Sequence, residues 1–423
     1  MASQKIKKLL LNIPSVRHYV ETTNNIRNEN IRLTHEIEKK TSLISQSRSP
    51  ALFNCSDDFL TERLLSHPIK SLSGSLTLAS EPARHIANRV EVAERLIKAY
   101  HKALADEAAS PLRREGEDLW TGLLRNELPE LLNAIDSRDA VKLADFLANF
   151  GTSYVWFGGI TTCIDGFNKD LRPESIALTY HDKLVSLAES LGVLRYESPE
   201  SGPWGDNMLS DSTDVLNSIA HKIGIDIHPP MGIIHTDGIK AGKSVLHYRH
   251  INALYSALRL HALNKKQEAV CEFGGGLGIT AMYSLRLGVK DYTIFDLPIT
   301  CLLAGHYLIH AIGENNVVLY GEEAKENAVK LLPYWECQKQ DDNRFSYALN
   351  QDSLPEISDN LIKEYLTQIK KMVAKGFLSI NHECFHPRTV MRFTEESGGF
   401  ELLHRSKCWV RDGYVEEFYT LQN

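Results

Sequence analysis

The sequence predicts an α/β protein: a mostly parallel, doubly wound sheet in the C-terminal part, closing on an antiparallel strand pair and preceded by a helical domain. Three observations predict it. From Glu268 onward short apolar runs alternate with helical ones, the pattern of parallel strands joined by right-handed crossovers. Between Glu81 and about Arg195 apolar residues recur instead at spacings of three and four, as on helices that bury one face. The end of the chain holds two apolar runs, "FELLHRSKCWVR" and "EEFYTLQ", close enough to pair antiparallel.

At 423 residues the chain exceeds one ordinary domain. Three units are expected: an N-terminal helical arm (1–50), a mainly helical cap or substrate domain (51–265) and a ligand-binding sheet domain (266–423). In the arm, Val20, Ile26, Leu33 and Ile37 are spaced near a heptad repeat, too briefly for a sustained coiled coil. Homo-oligomerisation through this helix and a solvated helix lying on its own domain both remain open. "TSLISQSRSPALFNCSDD" reads as a linker. Four helical stretches follow: "HIANRVEVAERLIKAYHKALADEA", "EDLWTGLLRNELPELLNAI", "DAVKLADFLANF" and "YHDKLVSLAESLGV". From Tyr196 to Val245 the chain loosens into Gly/Pro/His-rich segments, read as a functional loop. "YRHINALYSALRLHAL" makes a further helix. The strands of the sheet are then "EAVCEF", "DYTIFDLP", "NVVLYGEE", "FSYALN" and "FLSIN", with helices "GITAMYSLRLG", "ITCLLAGHYLIHAIG" and "NLIKEYLTQIKKMV" between them.

Composition narrows the function classes. The net charge is −7 and no long basic block occurs, which argues against a nucleic-acid or anionic-membrane surface. Seven cysteines stand singly, without the spacing of a zinc knuckle or an even count for a disulfide framework, so they read as reduced and buried. No window approaches the ~20 apolar residues of a membrane span. The first residues lack the uninterrupted apolar core of a signal peptide, and the expected location is cytoplasmic.

The chemistry centres on "AVCEFGGGLGIT". Gly274, Gly276 and Gly278 follow a strand and open a helix, where an α/β sheet binds ligands beyond its strand ends. The loose fit to a dinucleotide fingerprint, Gly276-x-Gly278-x-x-Ala281, is a weak signal. Glu272, two residues before the first glycine, decides against it. A carboxylate there repels a pyrophosphate but attracts an ammonium group, as in S-adenosylmethionine, whose own carboxylate suits the helix N-terminus. Asp296, about twenty residues on at the second strand's end, is placed to accept hydrogen bonds from ribose hydroxyls.

"EFGGGLG", "YTIFDLP", "ALNQDSLPEIS" with "YLTQI", "FLSINHE" and "WVRDGYVEEFY" together resemble sugar O-methyltransferases of bacterial polysaccharide and glycan clusters, members of the class I S-adenosylmethionine-dependent methyltransferase superfamily. The resemblance runs from about Leu191 to the C-terminus. It implies a Rossmann-like methyltransferase sheet and a sugar hydroxyl acceptor on a polysaccharide, glycan or glycosylated natural product. It also adds Leu297, of the "FDLP" motif, to the cofactor residues. In this architecture the tips of the fourth and fifth strands face the methyl group, which singles out Asp352, Glu356 and His382 as candidates for the base. Asp352 reads equally as a helix cap, and Glu383 could orient His382. His247, Arg249 and His250 are candidate substrate residues on a lid. Glu322, at the end of the expected third strand, is the candidate for the adenine amino group. A divalent cation held by Asp352, Glu356 and Glu383 is compatible with this chemistry but not implied by their spacing. A nicotinamide-dependent oxidoreductase and a helical scaffold with a degenerate nucleotide-binding domain are the competing readings.

Overall fold

The computed structural model describes residues 76–110, 112, 128–152, 173–198, 200, 204–383 and 388–422, together with 22, 29 and 33. The expected arm, the linker and the oligomerisation reading lie outside the described residues, as do most of the "EDLW" segment and Cys55, Cys163 and Cys384. The other four cysteines are free and buried.

The larger sheet has eight strands: β4 (Val270–Phe273), β5 (Tyr292–Asp296), β6 (Val317–Val318), β7 (Val329–Pro333), β8 (Phe345–Gln351), β9 (Val373–His382), β10 (Phe400–Lys407) and β11 (Tyr414–Leu421). Their order across the sheet is β6-β7-β5-β4-β8-β9-β11-β10. The pairs from β6 to β9 are parallel. β11 runs antiparallel to both β9 and β10, so the expected C-terminal pair is present. β4 and β5 are buried along their whole length, as parallel strands covered on both faces must be.

Helices α7 (Ile279–Arg286), α8 (Pro298–Ile312) and α9 (Asp359–Met372) are the crossovers, and α10 (Val390–Ser397) precedes the final hairpin. Pro298 starts α8 at a position where a missing N–H costs nothing. α9 is amphipathic, burying Leu361, Ile362, Tyr365, Leu366 and Ile369 while its lysines stay outside.

Before the sheet come α1 (Arg89–Glu107), α2 (Pro129–Asp136), α3 (Ala140–Asn149), α4 (Pro173–Ser190), α5 (Ser212–Ile223) and α6 (Tyr248–Leu263). α1 packs along α8, and α6 packs on α7. α6 is fixed to the sheet by Ser256 Oγ donating to Gln351 Oε1 (2.7 Å) and by Tyr255 and Arg259, which both donate to Glu416.

Four local expectations are corrected. The region read as loop supplies β2 (Thr236–Ala241) and most of β3 (Ser244–Leu246), which form a small antiparallel sheet with β1 (Leu78–Glu81) from before α1. β2 and β3 are joined by the two-residue turn Gly242-Lys243, a hairpin signal hidden by the short length of the strands. The same region holds α5, capped by the Asp211 carboxylate on the amides of Thr213 and Asp214. "NVVLYGEE" supplies only the short edge strand β6, and the strand beside β5 is β7. α10 was not expected at all.

Candidate active site

Five residues turn the chain from β4 into α7. Gly274 has φ +73°, and a Cβ there would lie 2.1 Å from Ser353 Oγ. Gly276 has φ +57°, and a Cβ there would meet nothing within 4 Å, so its backbone faces open space. Asp296, at the tip of β5, braces the turn: Gly276 N–H donates to Oδ2 at 3.0 Å and Leu297 N–H to Oδ1 at 2.7 Å. Gly274→Ala adds both a left-handed backbone penalty and an overlap. A loss of about 1–3 kcal/mol is expected for such a residue, read as a lowered thermal midpoint.

Beneath the turn, Glu272 is almost fully buried and accepts from Tyr292 Oη at 2.9 Å. Burial pushes its carboxyl up to about 8; the Tyr292 hydrogen bond opposes the rise and the Asp296 charge adds to it. The turn, Glu272 and the first turns of α6 enclose a cleft of about 540 Å³, counting space open to solvent. Tyr248, Arg249, Gln351, Asp352 and Arg411 complete its walls.

Across the cleft the strand tips are tied together by amides. Asn350 Nδ2 donates to the Phe273 carbonyl at 2.8 Å, and Asn381 Nδ2 donates to Asn350 Oδ1 at 2.8 Å. Beyond Asn350 the chain bends through Asp352, whose φ is +64° and whose N–H donates to the Ile380 carbonyl. One ligand atom from each of Asp352, Glu356 and His382 lies within 4.8 Å of the others. His382 Nε2 is 4.0 Å from Asp352 Oδ1. Arg411 Nη2 donates to Asp352 Oδ2 at 2.7 Å, and the Tyr414 hydroxyl donates to Oδ1.

These neighbours set the charges. Burial, then the Asp352 charge, holds Glu356 protonated well above the usual carboxylate range. Burial lowers the His382 pKa below its ordinary 6.5, with Asp352 opposing and Arg411 adding to the fall. Burial works against the Arg411 guanidinium, but Asp352 outweighs it and leaves its pKa raised.

Of the residues singled out in the sequence, Glu272, Gly274, Gly276, Asp352 and Arg249 line the cleft, with Asp296 behind the turn and Glu356 and His382 beside Asp352. Leu297 follows Asp296 as the residue before α8. Gly278 ends the turn as the residue before α7, at φ +72°. Asp352 makes no cap: a single 3-10 turn, Leu354–Glu356, follows it, and its side chain goes to Arg411.

Other candidates are placed elsewhere. Glu322 follows edge strand β6 and is held by Arg95 of α1 at 2.5 and 2.7 Å. His247 is fully buried and caps α6, while His250 is buried between the hydroxyls of Tyr283 and Tyr307. The α6 segment is thus a wall of the cleft, and only Arg249 of the three reaches it. Glu383 pairs with Arg405 on the hairpin at 3.0 Å.

Sequence reasoning missed Arg411 and Tyr414 as site residues. The segment "WVRDGYVEEFY" contains both, but only the register Tyr414↔His382 between β11 and β9 shows that they return to the strand tips.

No protein family matches this chain, and no curated protein matches it. Among solved structures it is similar to a protein from Pyrococcus horikoshii OT3, with 10% identity over 42% of this chain and 92% of that one, at a TM-score of 0.34. It is similar to a 1,6-didemethyltoxoflavin-N1-methyltransferase from Burkholderia thailandensis with bound 1,6-didemethyltoxoflavin and S-adenosylhomocysteine: 16% identity, 40% and 79% coverage, TM-score 0.31. A third is the glycopeptide N-methyltransferase MtfA complexed with S-adenosyl-L-homocysteine, at 12% identity, 40% and 90% coverage and a TM-score of 0.32. The strand order stands independently of these likenesses: a parallel core with one antiparallel strand inserted near one edge is a Rossmann-like sheet.

Proposed function

We propose that the protein is an S-adenosylmethionine-dependent O-methyltransferase that methylates a sugar hydroxyl. One observation carries the reading. A single cleft has a glycine turn with a buried acid on one wall and, against the other, a neutral histidine within reach of a carboxylate.

The residues present suit the cofactor. Glu272 takes the ammonium group, the open backbone of Gly276 lies beside the methionine moiety, and the Asp296 carboxylate, at the tip of β5 behind the turn, accepts from ribose hydroxyls. Leu297 packs beside the adenine. Bound there, S-adenosylmethionine supplies an electrophilic methyl group on a sulfonium. The tips of β8 and β9 would present the acceptor oxygen to that methyl group. His382, neutral at pH 7, would take the proton of the acceptor hydroxyl as the oxygen gains the methyl group and the thioether of S-adenosylhomocysteine leaves. Asp352 stabilises the imidazolium, and protonated Glu356 donates to a sugar oxygen. Arg249 contributes a further donor to the acceptor.

Calorimetry with S-adenosylmethionine, S-adenosylhomocysteine and NAD tests this reading. The first two are expected to bind and NAD is not. Glu272 holds a proton in the free protein below about pH 8 and must lose it to face an ammonium. Binding at pH 7 should therefore release a proton, seen as a heat that depends on the buffer's ionisation enthalpy. Tighter binding of NAD would return the nicotinamide reading.

Asp352, Glu356 and His382 form a group that could ligate a metal. The Arg411 guanidinium already supplies a positive charge to Asp352, and a divalent cation would have to approach against it. Turnover is expected to survive a chelator; loss restored by added Mg²⁺ or Mn²⁺ would show the opposite.

A further inference from the structure

The exposed large aromatic side chains among the described residues are Tyr196, Trp204 and Trp409, with exposures of 69%, 38% and 43%. Tyr196 and Trp204 are eight residues apart, and Trp409 reaches them from the far end of the chain. Tyr196 and Trp409 meet edge to face, with ring centroids 5.6 Å apart and planes at 84°. Trp204 is brought to the same segment by Glu197, whose carboxylate accepts from the amides of Gly205 (2.9 Å), Asp206 (2.9 Å) and Asn207 (3.1 Å). Asn207 Nδ2 donates in turn to Glu189 of α4 and to the Arg195 carbonyl. The segment that bears Trp409 is pinned too. Lys183 Nζ donates to the Val410 carbonyl at 2.9 Å, and Cys408 N–H to the Tyr414 carbonyl at 2.9 Å.

Trp409 stands two residues before Arg411, which lines the cleft and holds Asp352. Two residues span at most about 7 Å of chain, so the aromatic pair neighbours the cleft without lining it. We propose that this pair is a second sugar subsite: the acceptor is an oligosaccharide or longer glycan, with one residue at the strand tips and a neighbouring residue stacked on Tyr196 and Trp409. This rests on the sugar-methylation reading.

The chemistry fits a pyranose better than a protein partner. An aromatic face carries partial negative charge and attracts the polarised C–H groups on the flat side of a pyranose ring. An edge-to-face pair turns its two planes in different directions, and both rings here are exposed. Asp206 and Asp412 are exposed alongside, where carboxylates suit ring hydroxyls. The core of a protein interface tends instead to lack charged groups.

The full-length protein with S-adenosylhomocysteine is titrated with methyl pyranosides of glucose, galactose, mannose and rhamnose, and with pentasaccharides of the same sugars. Saturation-transfer NMR and tryptophan fluorescence are the readouts. At least one pentasaccharide should bind more tightly than its methyl pyranoside, and Tyr196→Ala and Trp409→Ala should each weaken it by at least tenfold. Calorimetry on the same variants should give unchanged affinity for S-adenosylhomocysteine, which shows that the fold and cofactor site are intact. The proposal is overturned if no oligosaccharide binds saturably, or if the variants bind as the parent does. A concentration-dependent dimer abolished by Trp409→Ala would overturn it in favour of self-association. Failure of S-adenosylhomocysteine to bind the parent protein, by contrast, would sink the methyl-transfer reading and leave the sugar titration to be judged alone.

Discussion

Alanine in place of His382 is expected to lower turnover by about 10²–10⁴-fold, while the affinity for S-adenosylhomocysteine stays within twofold of the parent. The three candidates for the base differ in what surrounds them. Asp352 has both oxygens engaged, one by Arg411 and one by Tyr414, so accepting a proton would cost it charge-assisted bonds. Glu356 holds its proton to higher pH than an ordinary carboxyl, because burial and the Asp352 charge raise its pKa, and that suits a donor better than a base. His382 is deprotonated at neutral pH, because burial lowers its pKa. Only the neutral imidazole accepts the hydroxyl proton, so turnover should fall as pH drops through the His382 pKa. That acid limb lies below 6.5, and the rate should be flat between pH 7 and 8. It should vanish in the variant. If His382→Ala keeps full turnover while Glu356→Gln loses it, the base is Glu356.

Arg411→Ala is expected to damage both the fold and the reaction. The guanidinium is nearly buried, with its side chain 7% exposed, and Asp352 is 22% exposed. Removing one partner of a buried ion pair costs about 3–5 kcal/mol, because the other charge stays in place without compensation; the residual exposure of Asp352 puts this pair at the lower end. Asp352 is left facing Glu356 without the cation that offsets it. Turnover should fall even where the variant remains folded, since Asp352 is then free to leave the side of His382. Arg411→Lys keeps the charge but not the forked geometry and should recover stability better than rate. Denaturant unfolding and turnover on the same preparations separate the two effects. An Arg411→Ala variant with parental stability and rate would refute the clamp.

The order of elements in the large sheet was legible because its strands are nearly uniform apolar runs bounded by glycine, proline and polar turns. β6 and β7 show where that fails. Both are apolar and lie ten residues apart, and only pairing decides that Val329–Pro333 takes the place beside β5. The small sheet was hidden for another reason: β3 has three residues, too few for alternation to show. The proximity of Asp352 and His382 was legible from their positions at the ends of two expected strands; Asp352 follows β8 and His382 closes β9. His247 and His250 were misleading because polar residues near a loop resemble a binding segment, whereas here a cap and two tyrosine hydroxyls account for them. Arg411 and Tyr414 sit on a hairpin whose return to the strand tips depends on a long-range register.

The neutral state of Glu272 reaches beyond the cofactor. Burial holds its carboxyl up to about 8 in the folded chain, against an ordinary 4.5. Between those two pH values the folded form holds a proton that the unfolded form has released, so the stability of the empty protein declines as pH rises through this window and levels off above about 8. A bound ammonium reverses the demand, because it favours the ionised carboxylate that the empty pocket penalises. The same ligand therefore protects the fold most where the empty chain is weakest, and the gap between loaded and empty protein widens toward alkaline pH. With the cofactor role proposed for it, Glu272 would make the resting molecule a proton reservoir whose durability depends on how fully it is supplied with ligand.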